Sequence, residues 1–170
     1  MTLEEGERLT MQEFPTREAI CAIKVAYEKN GIASNENSVI EDNRALLDCI
    51  LQEAQFTGAF IEDISPFIDK KLAEGSKSQI YLSKRKTHVI KITTIELAAN
   101  DFTEFLRRTA AHNKHFPDTY YRILGFSRDN VGRPAVILLQ PYVQSSGHAT
   151  YEQIEKYMLE HGFKRVLKSK

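Results

Sequence analysis

The spacing of the apolar residues changes at Phe67, and this change constrains the fold more than any other feature of the chain. Before Phe67 the apolar residues recur at helical spacing, whereas after it short apolar stretches alternate with polar turns. The predicted elements after the change are three strands around Leu72, Ile80 and Ile90, a helix from about Asn100 to His115, and two strands at 121–126 and 135–139. This order predicts an α+β fold, in which a five-stranded antiparallel sheet with one packed helix follows a small helical module.

Two helices are predicted in the first third of the chain. The first begins with Thr16 as its N-cap, places Ile20, Ile23 and Tyr27 on one face and ends at Gly31. The second covers Glu41 to about Gln55, has one apolar stripe and ends near Gly58; the stripe consists of Leu46, Leu47, Ile50 and Leu51. We expect an acidic helical segment over residues 1–63 and a second unit over residues 64–170, which closes with a linker and a helix that starts in a capping box at Thr150.

The charge of the chain is divided between these two parts. The 170 residues carry 23 basic and 23 acidic side chains, but residues 1–63 hold 13 acidic and 5 basic ones, and residues 64–170 hold 10 acidic and 18 basic ones. The densest basic stretch, Lys70–Lys91, favours polyanionic partners such as nucleotides. Cys21 and Cys49 lie far apart, and no apolar stretch approaches a membrane span of about 18 residues, so a reducing cytoplasmic location without membrane contact is expected.

A glycine-containing turn and a lysine mark the candidate binding site. The turn lies within Leu72–Tyr81 and contains Gly75, Ser76 and Ser78, and Lys91 closes the apolar strand that follows. Backbone N–H groups of such a hairpin can contact phosphates, and a lysine on the next strand can reach the same oxygens. The pattern therefore predicts a site for a nucleoside triphosphate.

Several short motifs in order resemble a known family. The segment Leu72–Tyr81 is similar to the glycine loop of a protein kinase, and His88–Lys91 to the strand that carries the kinase lysine. The chain is more closely similar, over about residues 67–165, to the kinase-like domain of polyvalent proteins from phages and mobile elements, which resemble atypical serine/threonine kinases. The motifs behind this similarity are Ala111-His112-Asn113, Phe116-Pro117, Tyr121–Phe126, Gln140–Val143, Tyr157-Met158 and His161–Phe163.

This resemblance implies an ATP site and assigns a role to several residues. Lys91 would contact phosphate and Glu104 would orient Lys91, as the catalytic pair. Gly75, Ser76 and Ser78 would form the phosphate loop, and Ile80, the β-branched residue that follows, would also contact the cofactor. Leu139 would be the gatekeeper, and the backbone of Gln140–Tyr142 would face the adenine ring, with Tyr142 as the donor. Two glycines of the kinase loop are replaced, by Ala73 and Ser78, so a stiffer loop that approaches phosphate less closely is expected.

The residues that perform phosphoryl transfer are not found after the predicted hairpin. No Asp follows Asp129 and no Asn follows Asn130, whereas magnesium-dependent transfer needs such side chains to hold the metal and orient the nucleophile. We therefore expect no metal site in this chain and no kinase activity from it alone. It would be a kinase fragment that needs a second lobe or a partner protein, or a degenerate pseudokinase that acts as a short binding module.

Three other interpretations use the same residues. The basic surface of Lys70–Lys91 would suit nucleic acid or a protein partner, although no alternating aromatic pattern supports base stacking. The acidic helices would suit a structural partner domain. His112 and His115, with Glu104, have a spacing compatible with metal ligands, but this spacing is common by chance.

Overall fold

The computed structural model describes residues 16–29, 41–145 and 147–165 of the chain. Helix α1 (Thr16–Lys29) and helix α2 (Glu41–Thr57) pack against each other. The apolar stripe predicted for α2 is confirmed, since all four of its members are buried, and the helix ends at Gly58 with a φ of +78°. The terminator predicted at Gly31 lies outside the described residues.

Helix α1 buries a different face from the predicted one. Its fully buried side chains are Ala19, Ala22 and Ala26, while Ile20 is 45% exposed, so the prediction for Ile20 was wrong. Ile23 and Tyr27 lie at the edge of the buried face and contact the core partly. Small alanine side chains let the two helices approach closely, and that close packing decides the orientation of α1.

Five antiparallel strands form one sheet in the spatial order β1-β2-β3-β5-β4. Their bounds are Ile68–Glu74 for β1, Ser78–Ser83 for β2, His88–Thr94 for β3, Arg122–Arg128 for β4 and Pro134–Pro141 for β5. The predicted five-stranded antiparallel sheet is therefore confirmed. The polar stretch after Ser83 makes the tight turn into β3, where Lys86 adopts a φ of 59°.

The connection from β3 to β4 contains the packed helix of the sheet. A single helical turn, α3 (Ile95–Ala98), precedes helix α4 (Phe102–His115). The N-cap of α4 is Asp101 rather than the predicted Asn100, because the Asp101 carboxylate accepts the Glu104 N–H at 2.6 Å. The last helix, α5 (Tyr151–Glu160), starts with the predicted capping box, in which Thr150 and Gln153 bond to each other's backbone.

Each face of the sheet has its own core. On one face, Phe126, Val136 and Leu138 pack with α1, α2 and the buried Phe102 and Phe105 of α4. On the other face, the core cluster of Ile90, Leu124, Ile137 and Leu139 is covered by side chains of the segment from Ile61 to Ile68. The helical module is thus packed on the sheet, and its boundary at residue 63 stays a prediction.

The two edges of the sheet differ. At the β4 edge, the segment around Phe60 forms a parallel bridge with Phe126. The Ile61 N–H donates to the Phe126 carbonyl, and the Phe126 N–H donates to the Ala59 carbonyl. Gly125 permits this approach, because a Cβ on it would lie 2.4 Å from the Ala59 oxygen. Strand β1 forms the opposite edge, and all its residues after Ile68 are exposed.

Candidate functional site

Lys91 lies on the helix-covered face of the sheet. Side chains alternate along a strand, so Val89, Lys91 and Thr93 share one face of β3. The cross-strand neighbours of Lys91 are Ile80 on β2 and Leu138 on β5, and directly paired residues point to the same side of a sheet. Ile80, Lys91 and Leu138 therefore form a row across three strands, and this row is the centre of the candidate site.

The ammonium group of Lys91 is held by a tyrosine. Its Nζ donates to the Tyr121 hydroxyl at 3.0 Å and lies 4.9 Å from the centre of the same ring. Within the described part of the chain, no carboxylate lies in ion-pair range of Lys91. A neutral hydroxyl and an aromatic ring hold a cation more weakly than a carboxylate or a phosphate would. Lys91 is thus a half-buried cation that an anionic ligand can recruit.

Tyr121 is itself held in place by the end of α4. The Asn113 amide accepts the Tyr121 N–H at 2.6 Å and donates to the Tyr121 carbonyl at 2.8 Å. The His112 ring packs on the tyrosine ring at 4.5 Å, and its Nε2 is 2.8 Å from the Thr119 carbonyl. His112 and Asn113 belong to one of the family motifs in the sequence. In the structure they hold the segment before β4 in the position that places Tyr121 beside Lys91. The role of Tyr121 toward Lys91 was missed.

Glu104 has other partners than Lys91. Its carboxylate accepts the Asn100 N–H at 2.8 Å and forms an ion pair with Arg108 at 2.5 Å. The hydrogen bond from the Asn100 backbone, helped by the nearby Arg108 charge, lowers the pKa of Glu104 below its ordinary value. Glu104 thus holds the backbone just before the N-cap of α4, one residue away from the N–H that it would accept in a capping box. The structure does not bring Glu104 and Lys91 together.

The predicted adenine contacts are arranged differently from the expectation. Leu139 is buried on the face opposite Lys91, and Leu138 takes the position beside Lys91. Gln140 pairs with Val89 on the Lys91 face, and its side-chain amide donates to the Thr119 carbonyl at 3.0 Å. The Tyr142 N–H, the expected donor to adenine, donates instead to the Thr87 carbonyl at 2.9 Å.

The residues of the glycine loop line a cavity of about 240 Å³ between this loop and the turn that joins β4 to β5. Gly75, Ser76 and Ser78 belong to its lining, together with Gln79, Ile92 and Thr94. Gln79 and Ile92 are cross-strand partners on the face opposite Lys91. The cavity therefore lies on the other side of the sheet from Lys91, and the loop is shared by two faces.

Gly75 itself is not forced to be glycine by the backbone. Its φ is not in the positive region, and a Cβ on it would lie 4.0 Å from the Ser78 carbonyl oxygen. The Ser78 hydroxyl is 2.9 Å from the Thr93 hydroxyl. The loop is therefore built from ordinary backbone conformations, and the stiffer loop expected from the replaced glycines stays a prediction.

The basic surface of the first hairpin is exposed and only partly neutralised. Lys71 pairs with Glu74 at 2.5 Å and Lys86 lies 4.0 Å from Asp69. Among the residues whose structure is described, no three His, Cys, Asp or Glu side chains cluster in a way that would hold a metal ion. No helix in the same described ranges is long and apolar enough to cross a membrane.

One family model matches the chain. It is described as "Serine/Threonine/Tyrosine Kinase found in polyvalent proteins" and matches residues 43–170, which begins within α2 and includes the whole sheet. A search of curated proteins gave no match.

Proposed function

The chain belongs to the family of serine/threonine/tyrosine kinases found in polyvalent proteins, and from this premise we propose that it binds ATP as the nucleotide-binding lobe of such a kinase. The phosphates would lie on the Lys91 face of the sheet. The row formed by Ile80, Lys91 and Leu138 is the single observation that carries this proposal, because it places one available cation between two apolar side chains.

The chemistry of the donors fits a phosphate better than it fits an adenine ring. Lys91 offers a charged donor whose present partner is a neutral hydroxyl, and a phosphate oxygen is the stronger acceptor. At the adenine end, the Tyr142 N–H is already bonded to Thr87. Binding would thus depend chiefly on the phosphates, with weak selection among bases.

The catalytic roles of Lys91 and Glu104 stay part of the proposal. For Glu104 to orient Lys91, the first turn of α4 would have to give up the Glu104 contacts with Asn100 and Arg108. In the conformation described, the Tyr121 hydroxyl, and not Glu104, holds the Lys91 ammonium. Bound ATP would supply the transferable phosphoryl group, but the residues of the Lys91 site include neither magnesium ligands nor a base. We therefore propose that this chain alone binds the nucleotide and does not transfer its phosphoryl group.

Thermal unfolding with ATP and magnesium tests the proposal. At a ligand concentration of 100 times Kd, a single site stabilises by about 2.7 kcal/mol, which raises the Tm of a chain of this size by about 5–10 °C. Lys91→Met should abolish the shift and leave the unliganded fold intact. Lys84→Met, which removes an exposed lysine from the turn after β2, is the matched control and should keep it. A wild-type protein without any shift would refute nucleotide binding by this chain.

A second candidate is a nucleic-acid-binding surface made of the exposed lysines on β1 and the following turns. Its specific support is the open edge of β1, on which Lys70 and Lys71 are both exposed. Binding of this kind weakens by orders of magnitude between about 50 and 200 mM salt because counterions are released. A titration with single-stranded RNA at both salt concentrations separates it from ATP binding, which should survive the higher salt.

A further inference from the structure

The cavity on the face opposite Lys91 has a lining that combines one end of each hairpin. The glycine loop supplies one wall, with Gly75, Ser76 and Lys77, and the turn from Arg128 to Arg133 supplies the other. At about 240 Å³ the cavity is smaller than the 300–1,000 Å³ of typical pockets for drug-sized ligands. It has room for a compact group such as a phosphate.

The turn is organised by Asp129. Its Oδ1 accepts the N–H groups of Val131 and Arg133, at 3.0 and 2.9 Å, and its Oδ2 accepts the Thr94 hydroxyl and the Arg133 Nε, at 2.9 and 2.7 Å. Burial, the largest influence, raises the pKa of Asp129, but these hydrogen bonds outweigh it and hold the pKa below the ordinary value. Both oxygens of the Asp129 carboxylate are thus hydrogen-bonded, and the bond to Arg133 Nε fixes the orientation of the Arg133 side chain.

The arginines of the turn keep most of their donors available. Arg133 uses its Nε for Asp129, so both of its terminal nitrogens are without an acceptor within the described part of the chain. One terminal nitrogen of Arg128 donates to the Gly132 carbonyl at 2.8 Å, and Arg128 has no carboxylate partner within the described residues. A guanidinium group has five N–H donors in a planar fork that matches phosphate oxygens.

The loop adds a third cation and two backbone donors. The N–H groups of Ser76 and Lys77 donate to no protein acceptor in the segments that the structure describes, and Lys77 makes no ion pair there. The lining also contains the carboxylates Glu74 and Asp129. Glu74 is engaged by Lys71 and by the Gln79 amide, and Asp129 by Arg133. Arg128 pairs with Pro134, which alternates with Val136 and Leu138 onto the Lys91 face. The cations of the cavity face are therefore Lys77, which is uncompensated, and Arg133, whose terminal nitrogens are available.

We propose that this cavity is a second anion site, separate from the Lys91 face, which binds a phosphate group between the Ser76-Lys77 backbone and the Arg133 side chain. The phosphate is carried either by a small oligophosphate or by a phosphorylated side chain, since both present the same oxygens. Because the glycine loop is a wall of this cavity and also borders the Lys91 face, a phosphate here would brace the loop.

Amide chemical shifts in the full chain test the site with defined probes. Sodium phosphate, pyrophosphate and a short phosphoserine peptide are titrated against sodium chloride of equal ionic strength. We expect saturable shifts at residues 75–78 and 128–133. Binding of pyrophosphate alone assigns the site to oligophosphates, binding of the peptide alone assigns it to phosphorylated side chains, and binding of both supports a general phosphate site. No saturable shift at these residues with any probe overturns the proposal.

Variants separate this site from the proposed ATP site. Arg133→Gln should weaken the binding of the active probe at least about tenfold, because a charge-assisted bond is lost. Arg133→Lys should also weaken it, since the charge stays but the fork is lost. Arg107→Gln, an exposed arginine on α4, is the matched control.

Lys91→Met should leave phosphate binding at this cavity unchanged. If it removes the shifts at residues 128–133, the probes are bound on the Lys91 face and the second site is refuted. If ATP binding fails while these shifts stay, the ATP proposal alone is refuted. Melting curves of each variant show whether a loss of binding is only a loss of folded protein.

Discussion

Replacing Tyr121 by phenylalanine should weaken the fold and strengthen nucleotide binding at the same time. The change removes the hydroxyl that accepts a hydrogen bond from Lys91 at 3.0 Å and keeps the ring that lies 4.9 Å from the ammonium. A hydrogen bond to a charged group contributes about 1.5–3 kcal/mol, and water reduces this to about 1 kcal/mol for a half-exposed lysine. We therefore expect the Tm to fall by about 2–4 °C.

The affinity for ATP should move in the opposite direction. If a phosphate takes Lys91 from Tyr121, the wild-type protein must first break the bond to the hydroxyl. Without that bond, the binding free energy of ATP becomes more favourable by about 1 kcal/mol, which corresponds to a Kd about fivefold lower. Isothermal titration of both proteins with ATP and magnesium measures the change, and melting curves without ligand measure the loss of stability.

A second tyrosine provides the matched control. The Tyr27 hydroxyl is 2.7 Å from the Thr103 hydroxyl, where α1 meets α4, and it makes no contact with Lys91. Tyr27→Phe should lower the Tm by a similar amount and leave the Kd for ATP unchanged. A weaker affinity in Tyr121→Phe would refute the reasoning, because it would mean that the hydroxyl positions Lys91 for the ligand instead of competing with it.

Three further predictions concern the scaffold of the site. Gly125→Ala places a Cβ 2.4 Å from the Ala59 carbonyl oxygen, so overpacking and the loss of edge hydrogen bonds should cost about 2–4 kcal/mol in a denaturant titration; a cost below 0.5 kcal/mol would contradict the closed edge. Asn43→Ala removes the side-chain oxygen that accepts the Phe102 N–H at 3.1 Å and should cost about 0.5–2 kcal/mol in the same assay, whereas an unchanged free energy of unfolding would show that the first turn of α4 does not depend on α2. Burial, assisted by two nearby arginines, lowers the pKa of His88 below 6.5, so its contribution to stability is present above pH 6.5 and is lost as the pH falls through the lowered value. The Tm should drop less between pH 7 and pH 5 in His88→Gln than in the wild type, and equal drops would disprove the role of His88.

Elements with a strong local signal were predicted well from the sequence. The stripe of α2 and the capping box at Thr150 are set by residues three or four positions apart, so no distant contact is needed to recognise them. The two hairpins follow from apolar stretches on either side of polar turns. The order of the elements and the family similarity predicted an α+β fold with a five-stranded antiparallel sheet, which the structure confirms; the strand order β1-β2-β3-β5-β4 comes from the structure.

Orientation was predicted less well, because it depends on packing between distant segments. Helix α1 has two possible faces, and the one with three alanines is buried because it allows the closest contact with α2. Leu138 and Leu139 are equally apolar neighbours, and only the register of β5 against β3 decides which of them shares a face with Lys91.

The sequence by itself determined which side chains the candidate site can use: a glycine loop, a strand lysine and a following helix with an acidic first turn. The Glu104–Arg108 pair follows from i,i+4 spacing within one helix. Tertiary structure decided the long-range partners: it placed the Lys91 ammonium against the Tyr121 hydroxyl, kept Glu104 away from Lys91 and put the loop cavity on the opposite face. The physical reason is that a hydrogen bond or ion pair forms only within a few ångströms, and such distances between strands and helices are set by sheet register and helix rotation, which no local pattern encodes.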